Sequence, residues 1–204
     1  MNLLAVISGS GIFLSTNYGT TWTAIDSGLT STDVRSLAFS TNGTGGTNLF
    51  AGTYGGGVFI STNNGTSWSA VNAGFPRPSY DPTSYTPVTA FAVSPNGAGG
   101  TNLFAGTADD GGTSGSGVFL STNNGTSWSA TGLTNTRVTS LALSSNAAGN
   151  THLFAGTIAS GVYRSTDNGT SWIPVGSGLT SITVGCLAVS GTNLFAGTLL
   201  PNRC

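Results

Sequence analysis

The sequence predicts an all-β protein built from repeated four-stranded antiparallel units, and three observations predict it. A Trp-bearing turn, Ser-Thr-Asn-Asn-Gly-Thr-Ser-Trp, stands letter for letter at 61–68 and 121–128 and in near copies at 15–22 and 165–172. A second segment, Leu-Phe-Ala-Gly-Thr, occupies 49–53, 103–107, 153–157 and 194–198, with a degenerate copy, Leu-Leu-Ala-Val-Ile, at 3–7. A third pattern, Val-x-x-Leu-Ala-x-Ser or close to it, begins at Val34, Val88, Val138 and Val184. The turns start at Ser15, Ser61, Ser121 and Ser165, spacings of 46, 60 and 44 residues. Self-similarity at such a period marks a repeat architecture.

Each full unit reads as four short strands, A to D. In the second unit they are expected at 34–40, 48–53, 57–61 and 67–71. Their lengths suit strands, and the links between them carry Asn-Gly, Gly-Gly or Pro. Strand A alternates, with Leu37 and Phe39 on one side and Ser36, Ala38 and Ser40 on the other. Strands B and C are apolar on both faces, as strands covered from both sides are. Four-stranded units repeating every ~40–50 residues predict a β-propeller. A β-solenoid, with shorter coils and fewer tight hairpins, and another stack of four-stranded sheets are the competing folds.

The chain is expected to be a single repeat domain over 1–204, of about four blades plus a partial fifth. Its parts are a partial blade at 2–25, blades at 34–72, 88–131 and 138–175, and a partial blade at 184–198. A strand A supplied by 184–190 can complete the first blade and close a ring of four, but 193–198 then duplicates 2–7. The alternatives are a piece of a longer propeller, or leftover strands that pair with another chain. Unpaired strand edges are templates for association, so self-association through them is a second expectation.

Composition removes several function classes. The 204 residues include Arg35, Arg77, Arg137, Arg164 and Arg203, six Asp, no Lys and no Glu, for a formal net charge of -1. That leaves no electrostatic footprint for nucleic acid and no basic face for anionic lipid. No run approaches the ~18 apolar residues of a membrane span, so membrane insertion is not expected. Ser, Thr, Asn and Gly supply polarity and turn chemistry instead, and the lack of Lys and Glu disfavours long helices. The N-terminus has neither a basic segment nor a long apolar one, so no signal peptide is expected in this chain. The uncharged surface points to an extracellular or cell-surface setting. Cys186 falls in a predicted strand and reads as a small core residue. Two thiols, Cys186 and Cys204, do not settle whether a disulfide joins them.

The repeated turn resembles the Asp-box, or bacterial neuraminidase repeat, whose pattern is Ser-x-Asp-x-Gly-x-Thr-Trp. It is met by Ser15, Asn17, Gly19, Thr21 and Trp22, by Ser61, Asn63, Gly65 and Trp68, by Ser121, Asn123, Gly125 and Trp128, and by Ser165, Asp167, Gly169, Ser171 and Trp172. Three of the four carry Asn where that pattern has Asp, which keeps the acceptor oxygen and discards the charge. The oxygen can accept backbone N–H groups within the turn, the Gly can take positive φ, and the Trp can cover the hairpin. The resemblance implies a structural C–D turn away from any active centre. The sequons at Asn64, Asn124 and Asn168 arise from the same turn.

Asp-box propellers include sialidases, xyloglucanases, sortilin-type receptors and photosystem-assembly factors, and the fold does not choose among them. A sialidase implies an Arg triad, a Tyr–Glu nucleophile pair and an Asp acid/base. This chain has no Glu, and Arg35 follows the strand A valine whereas Arg137 precedes its own. A xyloglucanase implies two Asp residues flanking the scissile bond. Asp81 with Asp109 or Asp110 are the candidates; no local motif maps them onto that family, and solvated loop aspartates are the plainer reading.

Alternating strand direction places the D–A and B–C connections on one face and the A–B and C–D connections on the other. Two connections exceed their counterparts. The D–A link at 72–87 holds Phe75, Arg77, Tyr80, Asp81 and Tyr85 among four prolines, and the B–C link at 108–116 holds Asp109 and Asp110. Insertions on one face of a repeat array mark a binding face. These aromatics, the Arg and the carboxylates suit a sugar or a peptide. The alternative is that the prolines stiffen the link while its aromatics cover the blade edge. No catalytic residue is assigned. No phosphate loop, nucleophile elbow or cysteine-based zinc pattern appears, Asp109-Asp110-Gly-Gly does not match a calcium loop, and His152 reads as a surface replacement for Asn, so neither cofactor nor metal is expected. The leading reading is a non-enzymatic binding or assembly module that contacts a glycan or protein through this face. A fragment of an Asp-box glycoside hydrolase and a structural subunit joined through its edge blades are the alternatives.

Overall fold

Short apolar strands separated by Gly- and Asn-bearing turns pair with their chain neighbours, because a tight turn brings adjacent strands together before any distant pairing can form. The computed structural model describes residues 2–42, 45–78, 81–96, 100–108, 115–145 and 151–199, and among them there is no helix. The first unit holds Leu3–Ile7 (β1), Gly11–Ser15 (β2) and Thr23–Ala24 (β3). The second holds Val34–Thr41 (β4), Thr47–Thr53 (β5), Gly57–Ser61 (β6) and Ser69–Ala70 (β7). Val88–Pro95 (β8), Thr101–Thr107 (β9), Val118–Ser121 (β10) and Ser129–Ala130 (β11) form the third, and Val138–Ser145 (β12), Thr151–Thr157 (β13), Val162–Ser165 (β14) and Ile173–Pro174 (β15) the fourth. The last pair is Val184–Ser190 (β16) with Asn193–Thr198 (β17). Three sheets thus have four antiparallel strands in chain order, flanked by a three-stranded and a two-stranded sheet.

The fourth strand is shorter than the sequence suggests. The D strand expected at 67–71 shrinks to the two residues of β7, because its first amides are engaged elsewhere. The Ser67 N–H donates to Asn63 Oδ1 (3.0 Å), and the Trp68 N–H donates to Ser27 O of the preceding unit (2.9 Å).

Successive units nest by size. In β4 the row Leu37, Phe39 faces the first unit, and the small row Ser36, Ala38, Ser40 faces the third. Ala38 packs with Phe91 and Val93 of β8, and Ala90 and Ala92 pack in turn with Leu141 and Leu143 of β12. The Gly of the Leu-Phe-Ala-Gly-Thr segment in β5, β9 and β13 is the seat for the next unit's first valine. A Cβ on Gly52 would lie 2.6 Å from Val88 Cγ1, one on Gly106 2.6 Å from Val138 Cγ1, and one on Gly156 2.8 Å from Val184 Cγ1. A register shift at the start of each A strand, such as that between Val34 and Ser36, aims these valines across the interface. Thr89 and Thr139 then bridge units, donating to Val138 O and Val184 O at 2.6 Å each.

Two of the tryptophans, Trp68 and Trp128, act between units rather than on their own hairpins. Trp68 donates its indole N–H to Ile25 O (2.6 Å), Trp128 donates to Val71 O (2.8 Å), and both rings are buried. Trp172 donates instead to Gly169 O of its own turn (3.0 Å). Its predecessor link, Thr131-Gly132-Leu133, is two residues shorter than Val71-Asn72-Ala73-Gly74-Phe75, and Gly132 occupies the carbonyl of Gly169 through its own N–H (2.7 Å).

Two expectations change at the chain's ends. Residues 184–190 do not complete the first sheet: β16 pairs with β17, and β1 pairs with β2 alone. Cys186 is exposed rather than buried, because no unit covers the outer face of β16. Cys204 lies outside the described residues.

Candidate functional site

The D–A and B–C connections meet on one face. Tyr54 of the second B–C turn donates its N–H to Asp33 O (2.8 Å), Ser31 Oγ donates to Tyr54 O (2.7 Å), and the Ala108 N–H donates to Pro87 O (3.0 Å). The described residues of the long link, 72–78 and 81–87, lie on this face. Its Asn72 ties down the second unit, accepting from the Val58 N–H (2.7 Å) and donating to Gly56 O (3.0 Å). Its far end forms an antiparallel bridge between Tyr85 and Gly55.

Within the link, Arg77 donates to Pro82 O (3.0 Å), Thr83 O (2.9 Å) and Tyr85 Oη (2.8 Å), with its guanidinium 4.0 Å from the Tyr85 ring centroid. Asp81 accepts from the Thr83 N–H (3.0 Å) and from the hydroxyls of Thr83 and Ser84. The Ser84 and Thr83 hydroxyls hold its carboxyl down to about 2, so it is ionised across the neutral range. Arg77 and Asp81 therefore spend their hydrogen bonds on the shape of the link. Phe75 is a correction to the binding set: it is buried, stacked on Phe119 with centroids 4.9 Å apart and edge-on to Trp128 at 5.0 Å. Its place was legible, because it follows Gly74 as Leu29 follows Gly28 and Leu133 follows Gly132. Tyr80, Asp109 and Asp110 lie outside the described residues, although the flanks of their links approach at Thr86 Oγ1 and Ser116 Oγ (3.4 Å).

Tyr85 separates two clefts. One, of about 310 Å³, is lined by Thr30, Gly55, Gly56, Asn72, Thr83 and Tyr85. The other, of about 50 Å³, lies among Tyr54, Pro78, Asp81, Ser84 and Tyr85. Tyr54, half-exposed with Arg35 5.5 Å from its ring centroid, escapes the sequence reading because its turn has ordinary length. The one signal is an aromatic where the other units carry Ser8, Ala108 and Ile158.

The Trp-bearing turns form a separate structural set. In the second unit the Gly65 N–H and the Asn63 N–H donate to Ser61 Oγ (2.8 and 3.4 Å), and Asn63 Oδ1 accepts from the Ser61 hydroxyl (2.9 Å). The same bonds recur at Ser15 with Asn17 and Gly19, at Ser121 with Asn123 and Gly125, and at Ser165 with Asp167 and Gly169. Asn64, Asn124 and Asn168 all take φ between 55° and 58°, which explains their recurrence: Asn tolerates the left-handed region. Tyr18 takes φ 59° at the same place and is 77% exposed. The Asp167 carboxyl is held down to about 2 by the hydroxyl and N–H of Ser171. His152 stands in β13 opposite Ser144, one residue before Leu153, which pairs with Ser165 at the start of the fourth turn. Among the described residues, no cluster of His, Cys, Asp or Glu is placed to hold a metal ion, and no helix is long and apolar enough to cross a membrane.

Comparison with solved structures places this arrangement. The chain superposes on the GH74 xyloglucanase from Xanthomonas campestris with a TM-score of 0.64 at 18% identity, over 97% of this chain and 33% of that one. The Niastella koreensis GH74 enzyme gives a TM-score of 0.59 at 22% identity, over 85% and 23%. PorZ, a bacterial surface component of the type-IX secretion system of Porphyromonas gingivalis, gives 0.64 at 16%, over 97% and 29%. The chain spans no more than a third of the length of any of these three proteins. At these identities the likeness is one of fold. No curated protein matches the sequence at a significant level. The DUF6242 beta-propeller domain matches residues 3–181, and the chain belongs to that β-propeller family.

Proposed function

We propose that the chain is a non-enzymatic binding module that grips an uncharged polar ligand, foremost a glycan, on the D–A/B–C face. The observation that carries this is Tyr85 lining two clefts, with Tyr54 at the smaller and Thr30 at the larger, while Asn72, Thr83 and Ser84, their donors engaged within the chain, leave hydroxyl and amide oxygens as further acceptors along the walls. Aromatic faces ringed by neutral donors and acceptors are what sugar stacking and hydroxyl recognition need. A net charge of -1 supports a neutral ligand. Binding is the reading supported here because Asp81 caps its own loop through the Thr83 N–H and the Thr83 and Ser84 hydroxyls, so its carboxylate is engaged in the shape of the link.

The remaining assignments belong to the same proposal. The Trp-bearing turns are Asp-boxes with Asn in three of four places, and the chain is one repeat domain with blades at 34–72, 88–131 and 138–175 and partial blades at 2–25 and 184–198. It works outside the cell or at its surface, a setting supported by the uncharged Ser/Thr/Asn surface and by analogy with PorZ. A glycan array probed with the chain and with a Tyr54→Ala/Tyr85→Ala variant tests the site. Loss of at least about tenfold in signal for the retained glycans is expected; an unchanged array profile rejects the site.

A further inference from the structure

Three of the four Trp-bearing turns carry a reactive pair of residues. Asn is followed by Gly at 64–65, 124–125 and 168–169, where the first turn has Tyr18-Gly19. Such a pair is open to deamidation, because Gly has no Cβ to hinder its own nitrogen as that nitrogen closes on the Asn side chain. The backbone nitrogen first gives its proton to hydroxide. It then bonds to Asn Cγ, ammonia leaves, and a five-membered imide remains. Water opens the imide at either carbonyl, giving Asp or isoaspartate. Water and hydroxide are the co-reactants, and nothing is oxidised or reduced.

In each of these turns the nitrogen that would attack is held. The Gly65 N–H donates to Ser61 Oγ (2.8 Å), the Gly125 N–H to Ser121 Oγ (2.9 Å) and the Gly169 N–H to Ser165 Oγ (2.8 Å). The acceptors are aimed: each hydroxyl donates its own hydrogen to Oδ1 of Asn63, Asn123 or Asp167 (2.8–2.9 Å), which turns its lone pairs towards the turn's N–H groups. The three serines and the three glycines are buried, whereas the side chains of Asn64 and Asn168 are exposed. A buried, hydrogen-bonded N–H meets hydroxide when the local structure opens, so its proton loss is slowed by the opening equilibrium.

The product is disfavoured as well. Isoaspartate adds one carbon to the main chain ahead of each Gly, and the glycines have no room to move. A Cβ on Gly65 would run into Ile25, one on Gly125 would lie 2.7 Å from Phe50 Cε1, and one on Gly169 3.0 Å from Thr131 Cγ2. All three neighbours belong to the preceding unit, so a modified turn no longer fits the unit it packs against.

We propose that Asn64, Asn124 and Asn168 are modification sites gated by the serine of their own turn. Deamidation there runs through opening of the turn, and the Ser61, Ser121 and Ser165 hydroxyls set how often the turn opens. The gate is local, one hydroxyl to each site, so the sites answer independently.

The test keeps the full chain at mildly alkaline pH and samples it over days. Peptide mapping by mass spectrometry reads Asp and isoaspartate at the three positions in the native chain, in the same chain unfolded in denaturant, and in native Ser61→Ala and Ser121→Ala. All three sites are expected to react at least about a hundredfold more slowly in the native chain than in the unfolded one. Ser61→Ala should speed Asn64 by about tenfold or more and leave Asn124 and Asn168 unchanged. Ser121→Ala should move the acceleration to Asn124. Native rates equal to unfolded rates overturn the proposal, as does an Asn64 as slow in Ser61→Ala as in the wild type. Acceleration shared equally by all three sites in either variant also overturns it, since control would then lie in the stability of the whole chain.

Discussion

The hexapeptide Asn-Leu-Phe-Ala-Gly-Thr occurs three times, and its fate differs with its neighbours. In β5 and β9 it lies between an A and a C strand in its own sheet, with the next unit's valine over its Gly, and Phe50 and Phe104 are fully buried. In β17 the same letters form the same strand on one partner, and Phe195 faces outward. Local sequence therefore decides that the segment is a strand and which residue is its seat. Burial is conferred by the unit that follows. The energetic content of the repeat lies between units, as expected for an array in which each member contacts its neighbours alone.

The largest effect that breaks this comparison comes from the ring itself. Phe104→Ala should cost about 3–5 kcal/mol in denaturant unfolding, whereas Phe195→Ala should stay within about 0.5 kcal/mol. Equal costs would mean that β17 is covered in solution. The tryptophans give the next contrast. Trp128→Phe removes the indole donor from the half-buried Val71 carbonyl and should cost about 1 kcal/mol. Trp22, 43% exposed in the first unit, should tolerate the same change within about 0.5 kcal/mol.

An effect of similar size runs the other way. Tyr18→Asn puts the residue found in the other three turns at the left-handed position and should stabilise the chain by about 1 kcal/mol, seen as a raised thermal midpoint. The smallest contrast is one of pH. Asp167 and Asp81 sit at about 2 when folded against 3.8 ordinarily, so their contribution is complete above about pH 4 and is lost as pH falls from 4 towards 2. The Asn-bearing turns have no such dependence. A thermal midpoint that drops between pH 5 and about 2 in the wild type should drop less in an Asp81→Asn/Asp167→Asn chain, and an identical drop would discount both carboxylates.

Strands A, B and C were legible because their repeated letters mark both ends: Val34, Val88, Val138 and Val184 each begin an A strand. Strand D was not, because the partners of its first amides are a side chain, Asn63, and a carbonyl of the preceding unit, Ser27, which no local pattern specifies. The tryptophan role was hidden for the same reason, its acceptors Ile25 O and Val71 O being main-chain atoms of another unit. At the candidate site, chain direction sufficed to bring 72–87 to the B–C turns, and Tyr85 stands at the clefts. Side-chain chemistry misled: Arg77 and Asp81 look like ligand contacts in sequence, and in space they brace Thr83, Ser84 and Tyr85. Phe75 looks exposed in a Pro-rich link but fills the core position that Leu133 fills one unit later.

Amide hydrogen exchange resolved by residue tests the central claim most directly, because it reads the same six letters in three settings within one chain. In dilute solution, the amides of 49–53 and 103–107 should exchange with strong protection along both edges. Those of 194–198 should be protected solely where they pair with β16, and open on the alternate positions. Uniform protection of all three segments would contradict the account, since burial would then belong to the hexapeptide and not to the unit beside it.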